Sequence, residues 1–374
     1  MAFIIYLPFG QNAPITLRTS NALLDQLWQE LVMLRYLKKP RNIGARKAIT
    51  PWIDQSKTYF LDASRADWRS SGLLYYYSFL NLAKAFIVAK RLLTYKLLDT
   101  TAIFHGLRAE LQSISELTEF EIQIFPPTYK GCNNVFSYYY EAVTNQKWPY
   151  QDKVTITVAD IAGYCSDISA ELLSLYKIDH KIIRSQSLIR DINKQSWFEM
   201  LVPRLNVNVV KKHLPAWLLE EISPSGFSGN DKDDWLLSLR RTAASLRSHV
   251  CLRGPKKAYG ESNKSETLSS VATEATKQLQ PYALPTVYEQ ADSPQWLFIP
   301  ELDLLGKAIK WHPLLSDYLI AFVLSTILRY QPQLLDPKSF NCFLAEAWCR
   351  QSAVTALRYF LMLFTSPPIR IETY

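Results

Sequence analysis

Two stretches of this chain are apolar almost all round at helical spacing. Residues 68–93 (WRSSGLLYYYSFLNLAKAFIVAKRLL) carry one narrow polar stripe, and residues 312–332 (HPLLSDYLIAFVLSTILRYQP) have the same character. A helix with no wide polar face has to be surrounded by other elements, so these two are expected to lie side by side in the core. Residues 342–364 read as a further strong helix. Residues 20–37 put Leu23, Leu24, Leu27, Trp28, Leu31 and Leu34 on one side, with Ser20 or Asn21 able to cap the start.

Elsewhere the period changes. Residues 120–125, 135–140 and 154–158 alternate or are β-branched, and Pro126, Pro127 and Gly131 punctuate them, which predicts a small antiparallel meander. Residues 2–7, 197–202 and 295–299 read as further strands; 107–117, 159–176, 207–221 and 235–252 read as helices. Residues 38–55 read as a basic loop, 223–234 as a linker and 254–270 as a polar loop. The expected fold is mainly α within the α+β class: a helical bundle core with a small antiparallel β-meander. Three regions are expected: an N-terminal helical region (1–117), an α+β insertion (118–222), and a C-terminal helical region (223–374) that returns onto the first helices.

Composition narrows the function. Glycine is scarce, 11 of 374 residues, and neither GxGxxG nor GxxxxGK[ST] occurs, which disfavours a phosphate-cradling glycine loop. A net charge of +8 admits RNA, DNA or an acidic protein as partner. The candidate nucleic-acid contacts are Lys38, Lys39, Arg41, Arg46 and Lys47, and then Lys256 and Lys257. Neither run is interleaved with aromatic residues as a stacking platform would be. The five cysteines are scattered with no CxxC pair, which fits a reducing compartment. The first residues lack a signal-peptide pattern, and Asp317 and Arg329 interrupt the late apolar run, so a cytoplasmic protein with no membrane partner is expected. No metal-ligand spacing is present, and neither metal nor cofactor is expected.

Candidate chemistry lies on the polar stripe. Tyr77, Asn81, Lys84, Val88 and Arg91 share one side of the early helix, and Tyr318, Phe322, Ser325 and Arg329 share one side of the late one. If both sides face one pocket, Lys84 and Arg329 make it attract anions, with Tyr77 and Asn81 as orienting groups. The alternative is that these residues tie helices together, with Lys84 reaching solvent past its own stem. His105, in the turn FHGLRAE, and His249, which follows Arg241 on a basic helix, are the candidate bases.

The segments LLYYYSFLNLAKAFI (73–87), His105-Gly106-Leu107, the meander leading into 154–176, and LLSDYLIAFVLSTILRYQP (314–332) together resemble the YaaC-like family of bacterial proteins. The likeness covers most of the chain. The tyrosine-rich helix followed by a His-Gly turn also looks like the HEPN superfamily, some members of which are metal-independent ribonucleases with an R-x(4–6)-H motif. Here Arg241 and His249 have seven residues between them, a departure from that motif. The resemblance implies a component of a bacterial stress or anti-phage defence module that acts by binding a protein partner from its own operon, or RNA or DNA. Two alternatives stand beside it. One is a HEPN-type ribonuclease using His249 or His105 with an arginine such as Arg241. The other is a nucleotide or small-anion sensor built on Lys84 and Arg329.

Overall fold

The computed structural model describes Trp28 and residues 43–98, 103–110, 115–165, 167–213, 220–222, 248–279, 283–285 and 295–365. The strand expected at 2–7, the helix at 20–37 (Trp28 apart) and the linker at 223–234 lie outside the described residues. The described residues divide into two units, one within 28–180 together with 301–365 and the other within 181–300. Residues 118–180 group with the early helices, and the main sheet begins after them.

The first unit holds helices α1 (Ile43–Arg65), α2 (Trp68–Ala89), α3 (Val135–Thr144), α4 (Val158–Ala162) and α5 (Ser169–Tyr176). In the second unit is α6 (Lys264–Leu279), and the first unit resumes with α7 (Pro313–Tyr330), α8 (Phe340–Ala347) and α9 (Ala353–Thr365). Asp67 starts α2 by accepting the Arg69 backbone N–H at 2.9 Å, which satisfies one of the open donors of a helix N-terminus. Ser56 and Ser78 share a 2.8 Å hydrogen bond between α1 and α2, and Ser71 Oγ donates to the Ala63 carbonyl at 2.8 Å.

The other side of α2 meets α7. A Cβ added at Gly72 would lie 2.7 Å from Leu324 Cβ, so glycine is what allows the two backbones to come this close. Around this contact Tyr75 meets Trp348, Tyr76 meets Tyr318 and Phe322, and Phe79 meets Phe360. By length and composition α2 and α7 could each cross a membrane, but 72% and 83% of their most apolar windows are buried inside the fold. Burial, not length, argues for their place as core helices. Between α8 and α9 the helix passes through a π-helical turn at Trp348–Ser352.

Two three-stranded sheets complete the first unit: β2 (Leu107–Ala109), β3 (Glu121–Ile124) and β6 (Val154–Thr157) in one, and β1 (Ile103–Phe104), β5 (Cys132–Asn134) and β4 (Thr128–Tyr129) in the other. A two-stranded ribbon of β14 (Leu302–Leu304) and β15 (Lys307–Ile309) precedes α7. Residues 135–140 are helical, not a strand, because Asn134 caps α3 by accepting the Ser137 N–H at 2.8 Å. Residues 107–109 are a strand because Ile124 and Ile122 pair with them. Residues 43–55 are helical despite Pro51, since Ile53 and Phe60 of α1 are buried and packing outweighs the lost hydrogen bond.

The second unit is an antiparallel sheet in the order β12 (Ala283–Pro285), β13 (Gln295–Phe298), β7 (Ile183–Ile192), β8 (Gln195–Pro203), β10 (His249–Arg253) and β9 (Glu220–Ile222), with β11 (Lys257–Ala258) also pairing with β8. One face carries Ile189, Phe198, Met200 and Leu252 against Leu268, Val271 and Ala275 of α6. On strands β7, β8 and β10, Glu199 accepts from Arg190 Nε at 2.8 Å, Trp197 Nε1 at 2.9 Å and Arg253 Nε at 2.6 Å. Residues 249–253 are thus a strand and 264–270 a helix, where the sequence predicted a helix and a loop.

Candidate functional site

His105 is held by its backbone before its side chain does anything. Strand β1 runs parallel to β5 with Phe104 opposite Asn134. The His105 carbonyl then accepts the Phe136 N–H at 3.2 Å, and the Gly106 carbonyl accepts the Phe125 N–H at 3.0 Å. Gly106 has φ +81, and a Cβ there would fall 2.3 Å from Asn134 Oδ1. Only glycine fits that turn. Asn134 in turn donates from Nδ2 to the Pro126 carbonyl, so the same side chain caps α3 and walls the turn.

So placed, His105 meets α2. Its Nδ1 lies 3.0 Å from the Tyr76 hydroxyl, with ring centroids 5.9 Å apart. Tyr76 is 4% exposed, and burial raises its phenol well above the ordinary value, so the phenol keeps its proton at neutral pH. In the tautomer where the phenol donates that proton to Nδ1, the histidine's own proton sits on Nε2. His105 as a whole residue is exposed. Partial burial, then the charge of Lys84, then that of Arg329 lower its pKa from 6.5. A neutral imidazole therefore stands within the field of two cations. Arg329, exposed at the end of α7, donates from Nε to the Ser325 carbonyl at 2.9 Å. Hydrogen-bond donors of this kind (ammonium, guanidinium and imidazole N–H) suit the oxygens of a phosphate or carboxylate.

The other members of the polar stripe go elsewhere. Asn81 Nδ2 donates to Gln55 Oε1 of α1 at 3.1 Å, and the Tyr77 ring lies 5.6 Å from that of Tyr59. Both contacts join α2 to α1. Tyr76, which sequence reasoning passed over, is the residue that touches the histidine; a run of three tyrosines gave no sign of which one would.

His249 begins β10 in the second unit, its Nδ1 3.0 Å from Ser248 Oγ, and is corrected from helix to strand. Arg241, Lys38, Lys39 and Arg41 lie outside the described residues. Arg46 and Lys47 are in the first two turns of α1, not in a loop. Lys256 Nζ stands 5.0 Å over the Trp197 ring, and Lys257 Nζ donates to Ser270 Oγ at 3.0 Å. Among the described residues no cluster of three His, Cys, Asp or Glu could hold a metal ion. All five cysteines are free thiols.

The fold and the histidine turn define a mixed α+β protein in which Tyr76 meets His105 and the charges of Lys84 and Arg329 act on it. The family profile described as YaaC-like Protein matches residues 16–337, and the chain belongs to that family. Comparison with curated proteins and with solved structures gives no match.

Proposed function

We propose that this YaaC-like protein works by binding a phosphate-bearing partner at His105, Lys84 and Arg329, as a cytoplasmic component of a bacterial stress or anti-phage module. The observation behind this reading is the shared field of Lys84 and Arg329 on one exposed, neutral histidine that Tyr76 holds in place. Nucleic acid and nucleotide both carry the required chemistry. A second reading, metal-independent cleavage of a phosphodiester, draws on the same neutral state, which can accept a proton.

Thermal unfolding in the presence of GTP, ATP and pyrophosphate tests the binding. A ligand at about 100 times its Kd adds about 2.7 kcal/mol of stability, and the gain is lost in Lys84→Ala/Arg329→Ala. No shift with any of the three at millimolar concentration would refute the reading. Total RNA incubated with the protein in EDTA tests the second one: uncut RNA, or cutting that survives His105→Asn, removes it.

A further inference from the structure

Next to His105, aromatic rings and lysines alternate along the surface of the first unit. The Phe104 ring lies 5.6 Å from Phe125 and 6.3 Å from Tyr129, and Phe125 and Tyr129 are 4.8 Å apart. Lys130 Nζ stands 5.5 Å over Tyr129, Lys153 Nζ 6.0 Å over Phe125, and Lys307 Nζ 5.8 Å over Tyr150. The three lysines are exposed, while Phe104, Tyr129 and Tyr150 are half-buried. Local geometry builds this arrangement. Lys130 and Gly131 both have positive φ, 51 and 76, and form the two-residue turn of the β4–β5 hairpin that folds Lys130 back over Tyr129. Pairing of Ile124 with Val154 brings Lys153 beside Phe125.

We propose that this strip binds single-stranded nucleic acid, with bases stacked on Phe104, Tyr129 and Tyr150 and phosphates held by Lys130, Lys153, Lys307 and the His105 cluster. The proposal rests on the phosphate-binding reading above and names its partner. Cations interleaved with half-open rings match a chain that alternates negative phosphates with flat bases. A duplex hides its base faces, and an acidic peptide has none to stack. Burial, then the charge of Asp303, raises the pKa of the Tyr150 hydroxyl.

Fluorescence anisotropy with labelled oligo(U) and oligo(dT) of about 12 nucleotides, within the ~4–16 nucleotides one such module covers, tests this on the full chain. Single strands are expected to bind more tightly than a duplex of equal length. Tyr129→Leu and Lys130→Asn/Lys153→Gln are each expected to weaken binding about tenfold; asparagine keeps the positive φ at 130 tolerable. The two lysines are exposed, so their loss leaves the core intact if the unfolding temperature is unchanged. Binding by RNA, DNA or both supports the proposal, and the preferred strand identifies the natural partner. Equal affinity for duplex, equal competition by poly-glutamate, or wild-type affinity in both variants overturns it. If pyrophosphate still binds through Lys84 and Arg329 but no oligonucleotide does, the strip is wrong and the phosphate site stands. If neither binds, both fall.

Discussion

Asp317 lies in the middle of α7 and is 1% exposed. Its Oδ1 accepts from Trp348 Nε1 at 3.0 Å. Burial pushes its carboxyl from 3.8 up to about 8, with Asp167 adding to the rise while Trp348 and Cys165 pull it down. Folded, the group keeps its proton to about pH 8; unfolded, it releases it near 3.8. Between those values the folded state holds more protons, so stability falls by about 1.4 kcal/mol for each unit of rising pH. Over about pH 5 to 8 the loss is on the order of 4 kcal/mol. Asp317→Asn keeps the shape and an acceptor for Trp348 but does not ionise, so it escapes the loss. Urea unfolding of both proteins across that range gives the difference directly, and His105 and His312, which titrate in both, cancel from it. The variant should gain on wild type steadily as pH rises and level off above 8. A difference that stays flat to within about 1 kcal/mol would refute a protonated Asp317 in the folded protein.

Two further substitutions probe the framework. Gly72→Ala gains about 1 kcal/mol of helix propensity but drives a methyl into Leu324, an overpacking cost of about 1–3 kcal/mol. A net loss of about 1–2 kcal/mol in urea unfolding is expected, with a weaker pyrophosphate shift because Tyr76 lies one turn further along the same contact. Glu199→Gln removes the carboxylate set between the Arg190 and Arg253 guanidiniums, and breaking a buried pair of this kind costs about 3–5 kcal/mol. Unchanged stability on chemical denaturation would contradict that account.

The two apolar helices were legible because no amphipathic alternative exists for them: neither carries a wide polar face. The strands at 121–124, 154–157 and 195–203 were legible by period. What misled was capping and packing across long separations. Asn134 turns an alternating Val-Phe-Ser-Tyr run into a helix, and Pro51 sits inside a helix that α2 covers. The site was half legible. Lys84, His105 and Arg329 stood out by charge and spacing, whereas the choice of Tyr76 over Tyr77 depends on where Gly106 aims the histidine. The lysine–ring pairs were invisible for a similar reason: Lys153 and Phe125 meet only through the β3–β6 register.

The first and last parts of the 183–298 segment lie side by side as the neighbouring strands β7 and β13. Ile183, at its start, is the hydrogen-bonded neighbour of Phe298, at its end, which sets their Cα atoms about 5 Å apart. A gap that small can be spanned by a pair of glycines. Excising the stretch between them and closing the gap by a tight bend would leave the helices before and after it in their original sequence.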